Sequence, residues 1–303
     1  MNNKSDIKDA NGKRVRSYRD ILYDVKDQVA WITINRPRVM NAFREQTLDE
    51  MTDAFKSTRE DPSIVCAVVT GAGDKSFSAG GDFFAMKRLN WINASMWNDR
   101  MQGLAMTIRG LPIPVIAMVN GWCMGGGHEL ALWCDLVIAS EDAMLGQTGA
   151  TVGACPTVGA TQYLPRIVGE RLAREMIFLA RRLTAKEAEE IGLINKCVSK
   201  ADLLKETLAW CEKIKGLSSQ TLRMTKKSLN HESDELYASW QHGMELLAHV
   251  WGSEESLEGM NAFLEGRKPD FQRFRMRNKK ELEEYLDGCS KDLNAPPSMR
   301  GAR

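Results

Sequence analysis

The sequence offers no long apolar run, no CxxC pair and no surplus of either charge. No stretch approaches the ~20 apolar residues of a membrane-spanning helix, and the polar segment Met1–Tyr18 lacks the apolar core of a secretory signal. Lysine and arginine number 41 against 40 aspartates and glutamates, a formal net charge of +1. Bulk charge therefore gives no reason to expect a nucleic-acid or membrane partner. The cysteines are Cys66, Cys123, Cys134, Cys155, Cys197, Cys211 and Cys289, an odd number set mostly in apolar surroundings. They read as buried thiols in a reducing, cytoplasmic compartment, with no disulfide framework and no metal-ligand spacing.

What is present is an ordinary globular composition, 43% hydrophobic and 27% charged over 303 residues, enough to bury a core without staples. Ile21–Tyr23 and Val29–Ile34 are rich in β-branched and aromatic residues and predict a pair of strands around a polar turn at Lys26–Gln28. A helical spacing follows over Asn41–Thr58, then strands at Ile64–Thr70, Val115–Val119 and Leu136–Ala139, with a helix over Gly125–Cys134. From about residue 169 the texture changes to helix after helix: Arg171–Leu179, Ala185–Ile191, Lys200–Lys215, Leu217–Asn230, Leu236–His249 and Glu254–Glu265.

Three segments could carry chemistry. Phe77–Ser78–Ala79–Gly80–Gly81–Asp82 follows a predicted strand, and paired glycines let backbone approach a ligand closely; taken alone, the motif reads first as a plain structural turn. Asn120–Gly121–Trp122–Cys123–Met124–Gly125–Gly126–Gly127–His128–Glu129 joins a strand to a helix. Its glycines leave helix N-terminal N–H groups uncovered, where the dipole favours negative charge; close helix–strand packing is the bland alternative. Leu145–Gly146–Gln147–Thr148–Gly149, with Gly153–Gly159 after it, is a glycine-rich loop without carboxylate or histidine.

Taken together, the order and spacing of these segments resemble the crotonase (enoyl-CoA hydratase/isomerase) superfamily from about Ile21 to Phe271. The supporting residues are Ile34–Pro37 with Asn41–Ala42, Ser78–Asp82, Asn120–Gly121 with Gly125–Gly127, Cys134–Asp135, Arg166–Gly169, and Ala185, Ala188, Gly192 and Leu193. Asn41–Arg44, Thr70–Lys75, Gly146–Gly149 and Arg267–Phe271 are most similar to the dihydroxynaphthoyl-CoA synthase branch and its ring-opening hydrolase relatives. Asn120–Cys123 is similar to the hydroxycinnamoyl-CoA hydratase-lyases.

The resemblance implies an α/β fold, a spiral of ββα repeats over 20–200, with a helical C-terminal region over 201–271 that builds trimers, often paired into hexamers. A polar tail over 1–19 is expected to be mobile. A C-terminal extension over 272–303 is expected to be partly disordered, with a short helix signal at Glu281–Leu286.

It also implies an acyl-CoA substrate, coenzyme A entering as part of that substrate and not as a tightly bound cofactor. Gly81 and Gly126 map to the backbone N–H donors that hold the thioester oxygen, and Glu129 to the first of two hydratase glutamates. The second maps to Gly149, which has no side chain. The synthase branch shares that glycine, where bicarbonate can supply the missing base, but its downstream serine and aspartate map here to Ala154 and Pro156. For coenzyme A, Arg38 and Ala42 map near the nucleotide, Ala79 and Gly81 near the pantetheine and thioester. Asp82 is an active-site or loop-capping carboxylate, with capping favoured because Asp readily bonds its own turn. His128 reads as structural, Tyr163 and Trp122 as packing residues. The basic run Arg273, Arg275, Arg277, Lys279 and Lys280 reads as a phosphate contact or a solvated tail. The function implied is an enoyl-CoA hydratase-type lyase. The alternatives are ring closure or ring opening on a cyclic acyl-CoA, and a non-catalytic scaffold of the same fold.

Overall fold

Asp27 and Gln28 both take positive φ, 52° and 67°, the geometry that lets a two-residue turn match the twist of its flanking strands. They close a hairpin between β3 (Ile21–Lys26) and β4 (Val29–Ile34), paired in register from Ile21 opposite Ile34 to Lys26 opposite Val29. This computed structural model describes residues 7–8, 14–15 and 17–293. The first two segments, β1 (Ile7–Lys8) and β2 (Arg14–Val15), pair with each other. The rest of the expected mobile tail up to residue 16 lies outside the described residues, as do residues 294–303 of the extension. Tyr18 is anchored by its hydroxyl to Asp53 at 3.0 Å.

The chain then repeats one movement. A long strand enters a six-stranded sheet, a three-residue strand enters a second sheet, and a helix returns. The turns are β5 (Cys66–Gly71), β6 (Ser76–Ser78), α2 (Phe83–Met86) and α3 (Ala94–Arg109); then β7 (Val115–Val119), β8 (Trp122–Met124) and α4 (Gly126–Trp133); then β9 (Leu136–Ser140), β10 (Met144–Gly146) and α5 (Ala160–Val168). Ahead of them, α1 (Glu45–Glu60) covers the first hairpin. After them come α6 (Glu170–Phe178), β11 (Arg182–Thr184), α7 (Ala185–Glu190) and β12 (Lys196–Val198). The larger sheet runs β12-β9-β7-β5-β4-β3 and the smaller β11-β10-β8-β6. All six residues of β5 are buried, which explains its continuous apolar run: a parallel strand covered on both faces has no polar side.

The remaining helices are α8 (Leu203–Lys215), α9 (Ser219–Asp234), α10 (Tyr237–Val250), α11 (Glu254–Leu264) and α12 (Gln272–Leu293). They divide the work. Leu203, Cys211 and Ile214 of α8 join a small core under Val68, Ile116 and Ile138. Trp240, Met244 and Leu247 of α10, with Trp251 after it, belong to the main core of the spiral. On α9, Lys226 buries its ammonium against Asp135 at 2.6 Å and the carbonyls of Ile108 and Ile113 at 3.1 and 3.0 Å. A buried charge persists only with such partners. One core thus spans both sides of residue 200.

The extension is more regular than its sequence signal. The helix expected over Glu281–Leu286 runs from Gln272 to Leu293, supported by i,i+4 pairs Arg277–Glu281, Lys279–Glu283 and Lys280–Glu284. Arg273 and Arg277 also reach Glu258 and Glu254 on α11, so much of the basic run is matched by carboxylates. No helix among the described residues is long and apolar enough to cross a membrane.

Candidate active site

The Gly80–Gly81 turn is fixed from both sides. Ser78 Oγ donates to the Asn41 carbonyl at 2.8 Å and accepts the Gly80 N–H at 3.1 Å. Phe43 then forms a single parallel bridge with Gly81: its N–H donates to the Gly80 carbonyl at 2.6 Å and its carbonyl accepts the Asp82 N–H at 2.7 Å. That bridge uses the groups flanking Gly81 and turns Gly81's own N–H to the opposite side. Among the described residues that N–H has no acceptor.

Gly126 is the first residue of α4, after Gly125 at φ 52°. A first-turn helical N–H has no carbonyl behind it, and Gly126's likewise finds no acceptor among the described residues. The two loops touch: Gly80 has φ +91°, and a β-carbon there would stand 2.8 Å from the Gly126 nitrogen. Only a residue without a side chain lets the two backbones meet.

Glu129 lies one turn into α4 and is 4% exposed. Oε1 accepts the Val158 N–H at 2.9 Å. Trp133 Nε1–H holds the same loop by donating to the Val158 carbonyl at 3.1 Å. Burial pushes the Glu129 carboxyl up to about 8, against the opposing pull of N–H groups from Val158 and Ala160. It is a carboxylic acid at neutral pH that can release its proton just above it.

Gly81, Gly126, Glu129 and Gly149 all line one cavity of about 70 Å³. Its other walls include Met86, Trp97 and Met101 from the spiral and Leu247 and Trp251 from the C-terminal helices. Gly149 opens a 3₁₀ turn, and a β-carbon there would meet the Ala154 carbonyl oxygen at 2.5 Å. A side chain at this position would therefore run into backbone.

Other sequence-derived candidates fall elsewhere. Asp82 caps α2, accepting the Phe84 N–H at 2.9 Å, and pairs with Arg36 at 2.8 Å; it holds the Gly81 loop and does not border the cavity. Arg38 is exposed on the edge of a separate groove of about 260 Å³, with Pro37, Asn41, Gly73 and Lys75. Ala42 is buried, its carbonyl accepting from Arg36, and Ala79 is half-buried with its N–H on the Met40 carbonyl. Tyr163 packs edge-on against Trp240 beneath Arg109, and Trp122 lies under Arg182. His128 is buried beside Gln147, 2.9 Å from Nδ1 to Nε2, and burial lowers it to about 4. Sequence reasoning missed Gln147 and Trp251 as residues of this cavity.

A two-sheet spiral whose glycine-headed helix leaves free amides beside a buried carboxyl defines a crotonase-type fold. The chain matches the family model described as enoyl-CoA hydratase/isomerase over residues 24–274, and it belongs to that family. Among solved structures it is similar to an enoyl-CoA hydratase from Mycobacterium avium subsp. paratuberculosis K-10, with 27% identity and a TM-score of 0.78, covering 84% of this chain and 99% of that one. It is also similar to an enoyl-CoA hydratase/isomerase from Xanthobacter autotrophicus Py2 (31% identity, TM-score 0.76, 82% and 94% covered). A third is an enoyl-CoA hydratase from Bacillus anthracis (32% identity, TM-score 0.68, 83% and 98% covered).

Proposed function

We propose that the chain is an enoyl-CoA hydratase-type lyase working with a single carboxyl group. The observation that carries this reading is the placement of Glu129 in the same small cavity as Gly81 and Gly126, whose N–H groups have no acceptor among the described residues. Those two N–H groups donate to the thioester oxygen, and donors fixed where negative charge develops are each worth ~3–4 kcal/mol of barrier. Ionised Glu129 takes a proton from water as the hydroxyl oxygen bonds to the β-carbon and electrons move to the thioester oxygen. The same carboxyl then returns the proton to the α-carbon, and both groups end as they began.

The nucleotide end of coenzyme A is assigned to the groove at Arg38, whose guanidinium suits phosphate, with Ala42 and Ala79 along the path to the cavity. Ring closure assisted by bicarbonate fits less well, because Ala154 and Pro156 offer no hydroxyl or carboxylate. We assign the exposed Leu204, Leu208, Leu217, Met224 and Leu229 of α8, α9 and the turn between them to a trimer or hexamer interface; sedimentation velocity reads it directly through the mass in solution.

The test is a panel of saturated, enoyl, aromatic and cyclic acyl-CoAs with Glu129→Gln as control. Hydration of an enoyl-CoA, lost in the variant and independent of bicarbonate, is expected. Turnover unchanged by that substitution would remove the assigned role. One carboxyl serving both carbons also requires syn addition, read as the position of deuterium after hydration in D2O.

A further inference from the structure

Glu129 and Trp133 lie four residues apart on α4, on the same face of the helix. Their side chains reach a single residue of the turn before α5 and take both of its backbone groups. The Val158 N–H donates to Glu129 Oε1 at 2.9 Å, and the Val158 carbonyl accepts from Trp133 Nε1 at 3.1 Å. All three residues are buried: Glu129 is 4% exposed, Val158 3% and Trp133 1%. The next residue, Gly159, has φ +100°, and a β-carbon there would stand 3.0 Å from the indole nitrogen. Glycine at this point lets the turn lie close on the indole, and α5 begins immediately after it.

The consequence falls on the carboxyl. An N–H bonded to a buried carboxylate favours the charged form, and the N–H groups of Val158 and Ala160 are the ones that oppose the burial of Glu129. Both belong to the segment that the indole holds. With its carbonyl pinned, Val158 cannot withdraw from α4, and its N–H stays within reach of Oε1. Other titratable groups nearby do not change charge in the same range. His128 on α4 is turned to Gln147 and is neutral above about 4. Burial pushes up the Cys155 thiol on the cavity wall and the Tyr163 phenol on α5. Arg109, over the Tyr163 ring, is a permanent cation.

We infer that Trp133 is a positioning residue for Glu129: by pinning the Val158 carbonyl it keeps the N–H of the same residue on the carboxylate, and so holds the carboxyl in one orientation in the cavity. Trp133 does not border that cavity and acts through the turn. Removing its N–H frees the turn, weakens the bond to Oε1 and favours the protonated acid, so the carboxyl should titrate at higher pH. As a device for hydration the clamp rests on the hydratase reading and deepens it. As a property of the carboxyl it can be read without turnover.

The experiment follows the Glu129 carboxyl by carbon NMR in the full-length protein, isotope-labelled at glutamate carboxyls, with the signal assigned by its absence in Glu129→Gln. In the unaltered protein it should titrate at about 8. Trp133→Phe, which keeps an aromatic ring without the N–H, should raise that midpoint by about half a pH unit or more, part of the worth of a hydrogen bond to a charged group. The benzothiophene isostere of tryptophan, placed at position 133 alone, keeps the full volume without the N–H and should raise it equally. Leu130→Ala, buried on the same helix but outside the clamp, should lose stability and leave the midpoint within about 0.2 of a unit. In hydration of an enoyl-CoA, the pH at which kcat/KM levels off should move with the NMR midpoint. Both Trp133 substitutions should then be about threefold slower at pH 7, with the difference closing above the shifted midpoint. An unmoved midpoint in both would overturn the inference. So would an equal rise in Leu130→Ala, since that marks a general loosening of the helix. A raised midpoint in a protein that hydrates no enoyl-CoA would uphold the clamp and remove the hydratase reading.

Discussion

The Val158 N–H donates to Glu129 Oε1 at 2.9 Å, and that bond is too little to offset the burial of the carboxyl, which sits at about 8. The group is thus poised to change charge within a range where activity can be measured. If Glu129 must be ionised to take a proton from water, kcat/KM for hydration should rise about tenfold per pH unit below about 8 and level off above it. A profile flat from pH 6 to 9 would contradict this, and the initial rate across that range is the measurement.

The same burial has a stability signature. Unfolded, the carboxyl titrates near its ordinary 4.5; folded, it keeps its proton to about 8. Between these values the unfolded chain binds fewer protons than the folded one, so stability falls as pH rises. The slope from this group reaches ~1.4 kcal/mol per pH unit. Glu129→Gln removes that loss, so its advantage in urea melts should grow from pH 5 to 8 and then stop growing. His128 acts in the opposite window. Its folded value is about 4 against 6.5, so the unfolded chain takes up a proton that the folded chain refuses, and stability is lost as pH falls from 6.5 towards 4. His128→Asn should flatten that acid limb.

Glycines at the loop contact should differ sharply in tolerance. At Gly80, φ is +91° and an added β-carbon would stand 2.8 Å from the Gly126 nitrogen. At Gly126 the nearest atoms to such a carbon are 3.4 to 3.6 Å away, in ordinary contact. Gly80→Ala should therefore destabilise by ~2 kcal/mol or more and cut activity, because it moves a donor. Gly126→Ala should stay within ~1 kcal/mol. Chemical denaturation of the two variants ranks them.

Restoring a glutamate at Gly149 should not restore a two-glutamate hydratase. Its β-carbon would meet the Ala154 carbonyl oxygen at 2.5 Å, and Ala154 N–H already closes the turn onto the Gly149 carbonyl at 2.9 Å. Gly149→Glu should cost ~1–3 kcal/mol through displacement of this turn and lower hydration. A gain in kcat with unchanged stability would mean that the turn yields easily.

Much of this was legible in the sequence because local chemistry announces it. The long inner strands β4, β5, β7 and β9 of the larger sheet carry apolar runs rich in β-branched residues, and the glycine-headed helix with Glu129 one turn in can be read from residue order. The three-residue strands of the smaller sheet are too short for any periodicity to reveal. Helix α3 was hidden for another reason. Its apolar stripe, Trp97, Met101, Leu104 and Ile108, has helical spacing but lies among buried polar residues: Asn98 donates to the Met244 carbonyl at 2.8 Å and Gln102 accepts from Gln241 at 3.1 Å. Helix α12 was present in the spacing of its charges but was obscured by the weight of its basic residues. Gln147 and Trp251 carry no local signal at all. Only the fold brings them to line the same cavity as Glu129, a relation between residues about a hundred positions apart.

If the Gly81 and Gly126 N–H groups share one thioester oxygen, binding should polarise that carbonyl. Isotope-edited infrared spectroscopy of a carbonyl-labelled enoyl-CoA bound to Glu129→Gln tests it most directly, because the substrate persists there while the backbone donors remain. Two donors should shift the thioester carbonyl stretch to lower frequency than in water, and Gly80→Ala in the same background should return part of that shift. A bound carbonyl absorbing as it does free in solution would show that the two N–H groups do not meet on it.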